Sequence, residues 1–288
     1  MGQRASRERP VALITGAAQR VGRHVALRLA QHGLDVVVHY HRSFREAQSA
    51  AKEIRAHGVD AYTVRADLSR PREAEALIGD ARKACGRPID VLINNASSFP
   101  TDRLANFSPE QMQAALQVNA IAPLQLMRAF ARQYGLAGGR GRPLTPNPST
   151  RLKPGASSRG RGEPERPREL WSEGSLPAIV NFLDTTITRQ QHQHVSYNLA
   201  KRALNMFTQL AAIELAPVIR VNGVAPGAAI APSGTDAEYF KRLAQKLPLK
   251  RTGGLDEIGD AILFLLHNRF VTGQVIFVDS GWHLMQVG

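Results

Sequence analysis

Two residues four positions apart, Tyr197 and Lys201, frame the chemistry this chain could do. On a helix that spacing puts both on one face. A phenol is a poor acid at neutral pH, with a reference pKa of about 10. An ammonium beside it favours the phenolate and would lower that value, making Tyr197 a usable proton donor. The same spacing occurs on ordinary surface helices, so the pair needs support from elsewhere. Residues 11–22, VALITGAAQRVG, supply it. An apolar run, Val11 to Ile14, ends in Thr15-Gly16, and a helical pattern starts at Val21. A strand, a glycine turn and a helix N-terminus make the arrangement that binds a dinucleotide pyrophosphate. A second apolar run, Val91 to Ile93, ends in Asn94-Asn95-Ala96, and Asn119 follows downstream.

Taken in order, TGxxxxxG, NNA, a lone Asn and YxxxK resemble the short-chain dehydrogenase/reductase family, over about residues 9–135 and 177–284. Two positions depart from the family's common pattern. Arg20 stands where a glycine is usual, and Asp184 stands thirteen residues before Tyr197, where a serine is usual. With the run His39-Tyr40-His41-Arg42-Ser43 and the run Asn95-Ala96-Ser97-Ser98-Phe99, they resemble the pteridine reductase branch.

The resemblance implies an NADPH-dependent reductase of pterins or folates. Strand two is followed by no acid that would accept ribose hydroxyls. It is followed by His41, Arg42 and Ser43, with Arg42 as the fork for the extra phosphate of NADP and Ser43 as a second donor. Gly16, Arg20 and Val21 belong to the pyrophosphate turn, with Arg20 also at the substrate edge. Asp67 and Leu68 resemble adenine contacts, and Asn95, Ala96 and Ser97 are expected along the nicotinamide-side ribose. Pro226 and Gly227, after strand six, are placed at the cofactor too. The resemblance also gives Tyr197 and Lys201 a share in holding the nicotinamide ribose, and Asn119 a water beside Lys201. Phe99 is expected to stack on the pterin, with Arg20, Ser97, Asp184 and Tyr197 as further substrate contacts. An ionised Asp184 would repel a developing oxyanion but suits ring nitrogens, so a pterin fits it better than a carbonyl. In a dihydropterin, hydride would go to C6 and a proton to N5. The alternatives are a dihydromonapterin or 3-oxoacyl-type carbonyl reductase of the same family. A third alternative is a dinucleotide-binding regulatory or RNA-associated protein, against which the full set of Tyr197, Lys201 and Asn119 argues.

The elements that must position these residues alternate along the chain. Strands are expected at 11–15, 35–40, 61–65, 89–93, 178–183, 220–224 and 274–278. Helices are expected at 21–32, 44–56, 71–85, 108–117, 119–134, 194–216 and 255–266. Alternating strands and helices predict a three-layer, Rossmann-like α/β fold with a doubly wound parallel sheet of about seven strands. The positions named above follow strand C-terminal ends, where open α/β sheets bind ligands. Residues 228–239 resemble the family's substrate loop, inside a segment, 226–246, expected to be mobile.

The chain has 288 residues and 43% hydrophobic content, which suits one Rossmann-like reductase domain with a well-buried core. No apolar run reaches the roughly 18 residues of a membrane span, so no membrane partner is expected. The single cysteine, Cys85, suits a reducing cytoplasm. His192 and His194 do not make a metal site, and none is expected. The net charge of +13 could point to nucleic acid, but much of it sits in irregular sequence. Residues 136–177 carry eight Arg or Lys against four Glu and are rich in Gly, Pro and Ser, so they read as a disordered insertion. Residues 1–9 read as a flexible N-terminus. Nucleic acid is therefore not the expected partner; the expected assembly, implied by the resemblance, is a homotetramer.

Overall fold

The computed structural model describes residues 9–136, 175–189, 191–227 and 237–285. Seven parallel strands form one sheet in the order β3-β2-β1-β4-β5-β6-β7. They are β1 (Val11–Ile14), β2 (Asp35–Tyr40), β3 (Ala61–Arg65), β4 (Val91–Asn94), β5 (Ala178–Phe182), β6 (Arg220–Pro226) and β7 (Val275–Val278). Between β1 and β4 the winding reverses, with Ala12 opposite Val91 and Ile14 opposite Ile93. That reversal opens a crevice beyond the strands' carboxyl ends. The three-layer, doubly wound parallel sheet expected from the sequence is thus the observed architecture.

The strands are apolar on both faces because helices cover both. Ala12, Ile14, Val36 and Val38 pack on α1 (Arg20–Gln31), α2 (Phe44–Ala56) and α8 (Leu255–His267). Val11, Leu13, Val37 and Leu92 pack on α3 (Pro71–Cys85), α5 (Ala122–Arg132) and the end of α6 (Val195–Glu214). Local signals set several ends. Pro71 opens α3, where a missing N–H costs nothing, and Gly86 closes it with φ 77°. Ser108 caps α4 (Pro109–Leu116), its oxygen accepting from the Gln111 N–H at 3.1 Å.

Three expectations need correction. The break expected between two helices before Asn119 is a π-helical turn, Gln117–Ile121, inside one continuous helix. The segment 226–246 ends in an amphipathic helix, α7 (Ala237–Lys246). Strand six runs on to Pro226. The flexible N-terminus, the insertion at 136–177 and residues 228–236 of the expected substrate loop lie wholly or almost wholly outside the described residues. Among the described residues, no helix is long and apolar enough to cross a membrane.

Candidate active site

The turn after β1 is held from two sides. The Thr15 hydroxyl accepts from the N–H groups of Asn95 and Ala96, both at 2.9 Å. The Asn95 amide donates to the carbonyls of Thr15 and Gly16 at 2.8 and 3.3 Å. From the other side, Nδ1 of buried His39 accepts from the Gly16 N–H at 3.0 Å, and its Nε2 donates to the Ala66 carbonyl at 3.1 Å. Those two bonds fix a neutral imidazole, and burial holds its pKa down at about 4. Gly16 sits at φ 65°. Gly22 is closer still: a Cβ there would lie 2.4 Å from the Gly16 carbonyl oxygen. The helix can approach the turn only without a side chain at that position.

This turn borders a cleft of about 690 Å³. Gly16, Arg20, Val21, His41, Arg42, Ser43, Asp67, Leu68, Asn95, Ala96 and Ser97 all line it. Arg20 opens α1 at φ 52°, a backbone region natural to glycine and strained for other residues. Arg42 is exposed and makes no ion pair among the described residues. His41 Nε2 lies 3.4 Å from the Asp67 carboxylate. Pro226 and Gly227 do not line the cleft. Gly227 instead lies against β7, where a Cβ would be 2.8 Å from the Cα of Asp279. The side-chain amide of Asn95 is used within the turn.

Beyond the turn, β5 and α6 bring the catalytic candidates together. The Tyr197 hydroxyl donates to Oδ2 of Asp184 at 2.8 Å. Lys201, 2% exposed, donates from Nζ to the Phe182 carbonyl at 2.7 Å, with that nitrogen 5.5 Å from the centre of the Tyr197 ring. Burial lowers the Lys201 pKa to about 8, although Asp184 works to raise it. The expected lowering of the tyrosine pKa is not what this geometry gives. Burial, then the Asp184 charge and hydrogen bond, push the Tyr197 phenol well above its ordinary value. Phe99 meets the Tyr197 ring edge-on at 4.6 Å and stacks on His194 at 4.0 Å.

Asn119 is fully buried, and its side chain binds the loop after strand four. Its oxygen accepts from the Ser97 hydroxyl at 2.8 Å and the Ser98 N–H at 2.9 Å, and its amide donates to the Ser98 carbonyl at 2.7 Å. It makes no hydrogen bond with Lys201. It fixes the strand-four loop, and the π-turn aims it there. Asn94, Asn181 and Thr208, which sequence reasoning passed over, form a buried chain from β4 to α6, with bonds of 2.8 and 2.9 Å. Only NNA gave any signal for them. His39 belongs to the run His39–Ser43 in the sequence, where nothing local marks it as a brace. Among the described residues, no group of three His, Cys, Asp or Glu side chains could hold a metal.

Comparison with known proteins agrees with this architecture. Residues 10–142 match the short chain dehydrogenase family, and residues 167–283 match the enoyl-(acyl carrier protein) reductase family. The chain is 32% identical to pteridine reductase 1 of Leishmania tarentolae, over 96% of each chain. It is 27% identical to the 3-oxoacyl-[acyl-carrier-protein] reductase FabG of Staphylococcus aureus, over 95% of this chain and 98% of that one. The crystal structure of FolM alternative dihydrofolate reductase 1 from Brucella canis complexed with NADP superimposes with a TM-score of 0.77, at 30% identity, over 96% of this chain and 95% of that one. A buried Tyr-Lys pair and a glycine turn after β1, on this sheet and with these matches, place the chain among the oxidoreductases of the short-chain dehydrogenase/reductase family, where it has pteridine reductase relatives.

Proposed function

We propose that the protein is an NADPH-dependent pteridine reductase. The observation that carries the reading is the Asp184–Tyr197 hydrogen bond, with Phe99 against the same ring. A reductase of simple carbonyls wants a neutral donor aimed at developing negative charge. An aspartate in that place suits a substrate whose reacting atoms are ring nitrogens and whose amino group can donate.

The residues present fit a dinucleotide. The Gly16 turn and the start of α1 offer backbone N–H groups and a positive helix end to a pyrophosphate. Arg20 adds a cation, and Arg42, which forms no ion pair among the described residues, fits a 2′-phosphate together with Ser43. NADPH would supply the hydride. Phe99 and Tyr197 bound the substrate side, and Asp184 holds the Tyr197 proton at the hydroxyl until a ring nitrogen competes for it. Lys201 keeps positive charge near the phenol as that proton leaves. The pair shares its protons, so its apparent pKa values belong to both groups.

The FabG relative supports the second reading, a 3-oxoacyl-type carbonyl reductase. A homotetramer accords with exposed Leu199, Met206, Leu210 and Ile213, which follow helical spacing along α6. The lone cysteine accords with a cytoplasmic location. The deciding experiment measures NADPH oxidation against biopterin, dihydrobiopterin, dihydromonapterin, dihydrofolate, folate and simple ketones. Preference for a ketone or an acyl substrate would overturn the pterin reading.

A further inference from the structure

The helix that carries Tyr197 has no cap of its own. His194, just before α6, sits at φ 57° and its side chain caps nothing. The His194 carbonyl accepts from the Asn198 N–H at 2.9 Å, which leaves the N–H groups ahead of Asn198 outside the helix's own ladder. Such orphan donors need an acceptor, most often a short polar side chain next to the helix.

The acceptor comes from 94 residues upstream. Asp102 is 1% exposed. Both its carboxylate oxygens lie 3.3 Å from the Ser196 nitrogen, and one also accepts from the Ser196 hydroxyl. Its carbonyl accepts from the His194 N–H at 2.7 Å. Two residues earlier, the Pro100 carbonyl accepts from His194 Nδ1 at 2.8 Å. A buried carboxylate is costly unless its oxygens are satisfied, and here no basic side chain among the described residues pairs with it. The helix end satisfies it, aided by the positive end of the helix dipole.

The same short stretch carries Phe99. That ring is 57% exposed, so burial alone cannot hold it. Its position against Tyr197 is set by the bonds that follow it in the chain. Ser196, which Asp102 grips, is the residue immediately before Tyr197. A displacement of one reacting group by about 1 Å can cost on the order of a hundredfold in rate.

We propose that Asp102 is a positioning residue, which caps α6 from outside and locks the Phe99 segment to it, so that the proton donor and the aromatic wall keep one geometry. The proposal rests on reading Tyr197 as the proton donor.

Its test is hydrogen exchange on the whole enzyme without ligand, read in peptides covering 97–107 and 191–200, together with steady-state kinetics. Asp102→Ala is expected to lose protection in both segments together. Its kcat should fall about ten- to a hundredfold with whichever substrate the wild type turns over, while NADP+ still binds with Kd within about twofold. Hydration of the loosened Tyr197 should also draw the alkaline limb of its pH–rate profile to lower pH. Asp102→Asn keeps an acceptor for the Ser196 N–H and should recover part of the rate. Ser196→Ala removes one bond and should move both readouts the same way, by less. Should Asp102→Ala not fold, the other two variants carry the test. Loosening confined to one segment, unchanged kcat, or equal loss of NADP+ binding would overturn the proposal. The exchange result needs no substrate. A wild type that reduced ketones and not pterins would therefore sink the pterin reading and leave this one standing.

Discussion

Tyr197 and Asp184 share one hydrogen bond, 2.8 Å from the phenol oxygen to Oδ2, while Oδ1 of the same carboxylate accepts from the Thr186 N–H at 2.9 Å. One aspartate thus holds the proton donor and caps the 3-10 turn Thr185–Ile187. The two jobs can be separated by substitution. Asp184→Ser keeps a capping oxygen and Asp184→Ala does not, so the alanine variant should be less stable by about 1 kcal/mol. Neither should reduce oxidised pterins appreciably, although both should still bind NADPH. The serine variant is expected to gain activity on ketones relative to the wild type. The check is kcat/KM for a pterin and a ketone in all three proteins. Unchanged pterin turnover in Asp184→Ser would show that the carboxylate is not what selects the substrate.

Arg42 is exposed at the cleft, where β2 ends without an acid, and makes no ion pair among the described residues. Asp in its place should weaken NADPH far more than NADH. Losing one charged phosphate contact costs about 1.5–3 kcal/mol, or roughly 10- to 150-fold in Kd. Titration with both cofactors measures this directly, and equal losses would mean that Arg42 does not read the extra phosphate.

Arg20 is held at φ 52°, where a side chain is strained. Arg20→Gly should relieve on the order of 1 kcal/mol and raise Tm by a few degrees. The same change should weaken NADPH binding by about tenfold or more if the guanidinium meets the pyrophosphate. Higher Tm with unaltered affinity would leave Arg20 without a cofactor role.

His39 ties stability to acid. Its folded pKa, about 4, lies below its unfolded value near 6.5. Protons therefore bind the unfolded chain first, and stability falls as pH drops from about 6.5 to 4, then levels off. Between pH 7.5 and 5 this one group should cost about 2 kcal/mol. Urea unfolding at both pH values, compared with His39→Gln, isolates the contribution. Equal pH sensitivity in the two proteins would mean that His39 is not buried in its neutral form.

Much of this was written locally in the chain. The bounds of β2, α2, β3 and α3 follow from short-range periodicity and from Gly58, Pro71 and Gly86, so the sequence could be read almost residue by residue there. The cleft was legible for the same reason, since Gly16, Arg42 and Asn95 each follow a strand end. What escaped depends on distant partners. The π-turn at Asn119 is settled by packing against the loop at 97–98, and no local propensity announces an extra residue in a helical turn. Asp102 looks like any polar loop residue until α6 arrives beside it. The direction of the Tyr197 shift was missed because the spacing shows Lys201 but not how deeply the ring is buried.

The pairing of β4 with β5, pinned by the Asn94–Asn181 bond across 87 residues, has a consequence for how the chain assembles. Closing a flexible loop grows costlier only logarithmically, by about 0.6 kcal/mol per doubling of length, so this seam tolerates long intervening sequence with little loss of equilibrium stability. Speed is another matter, because distant parallel pairings are slow to form. During synthesis the β3-β2-β1-β4 half is complete long before β5 emerges. Until then β4 is an open sheet edge, apolar but for Asn94, and the nascent chain is most exposed to wrong pairing at the same strand that later supports the active-site loop.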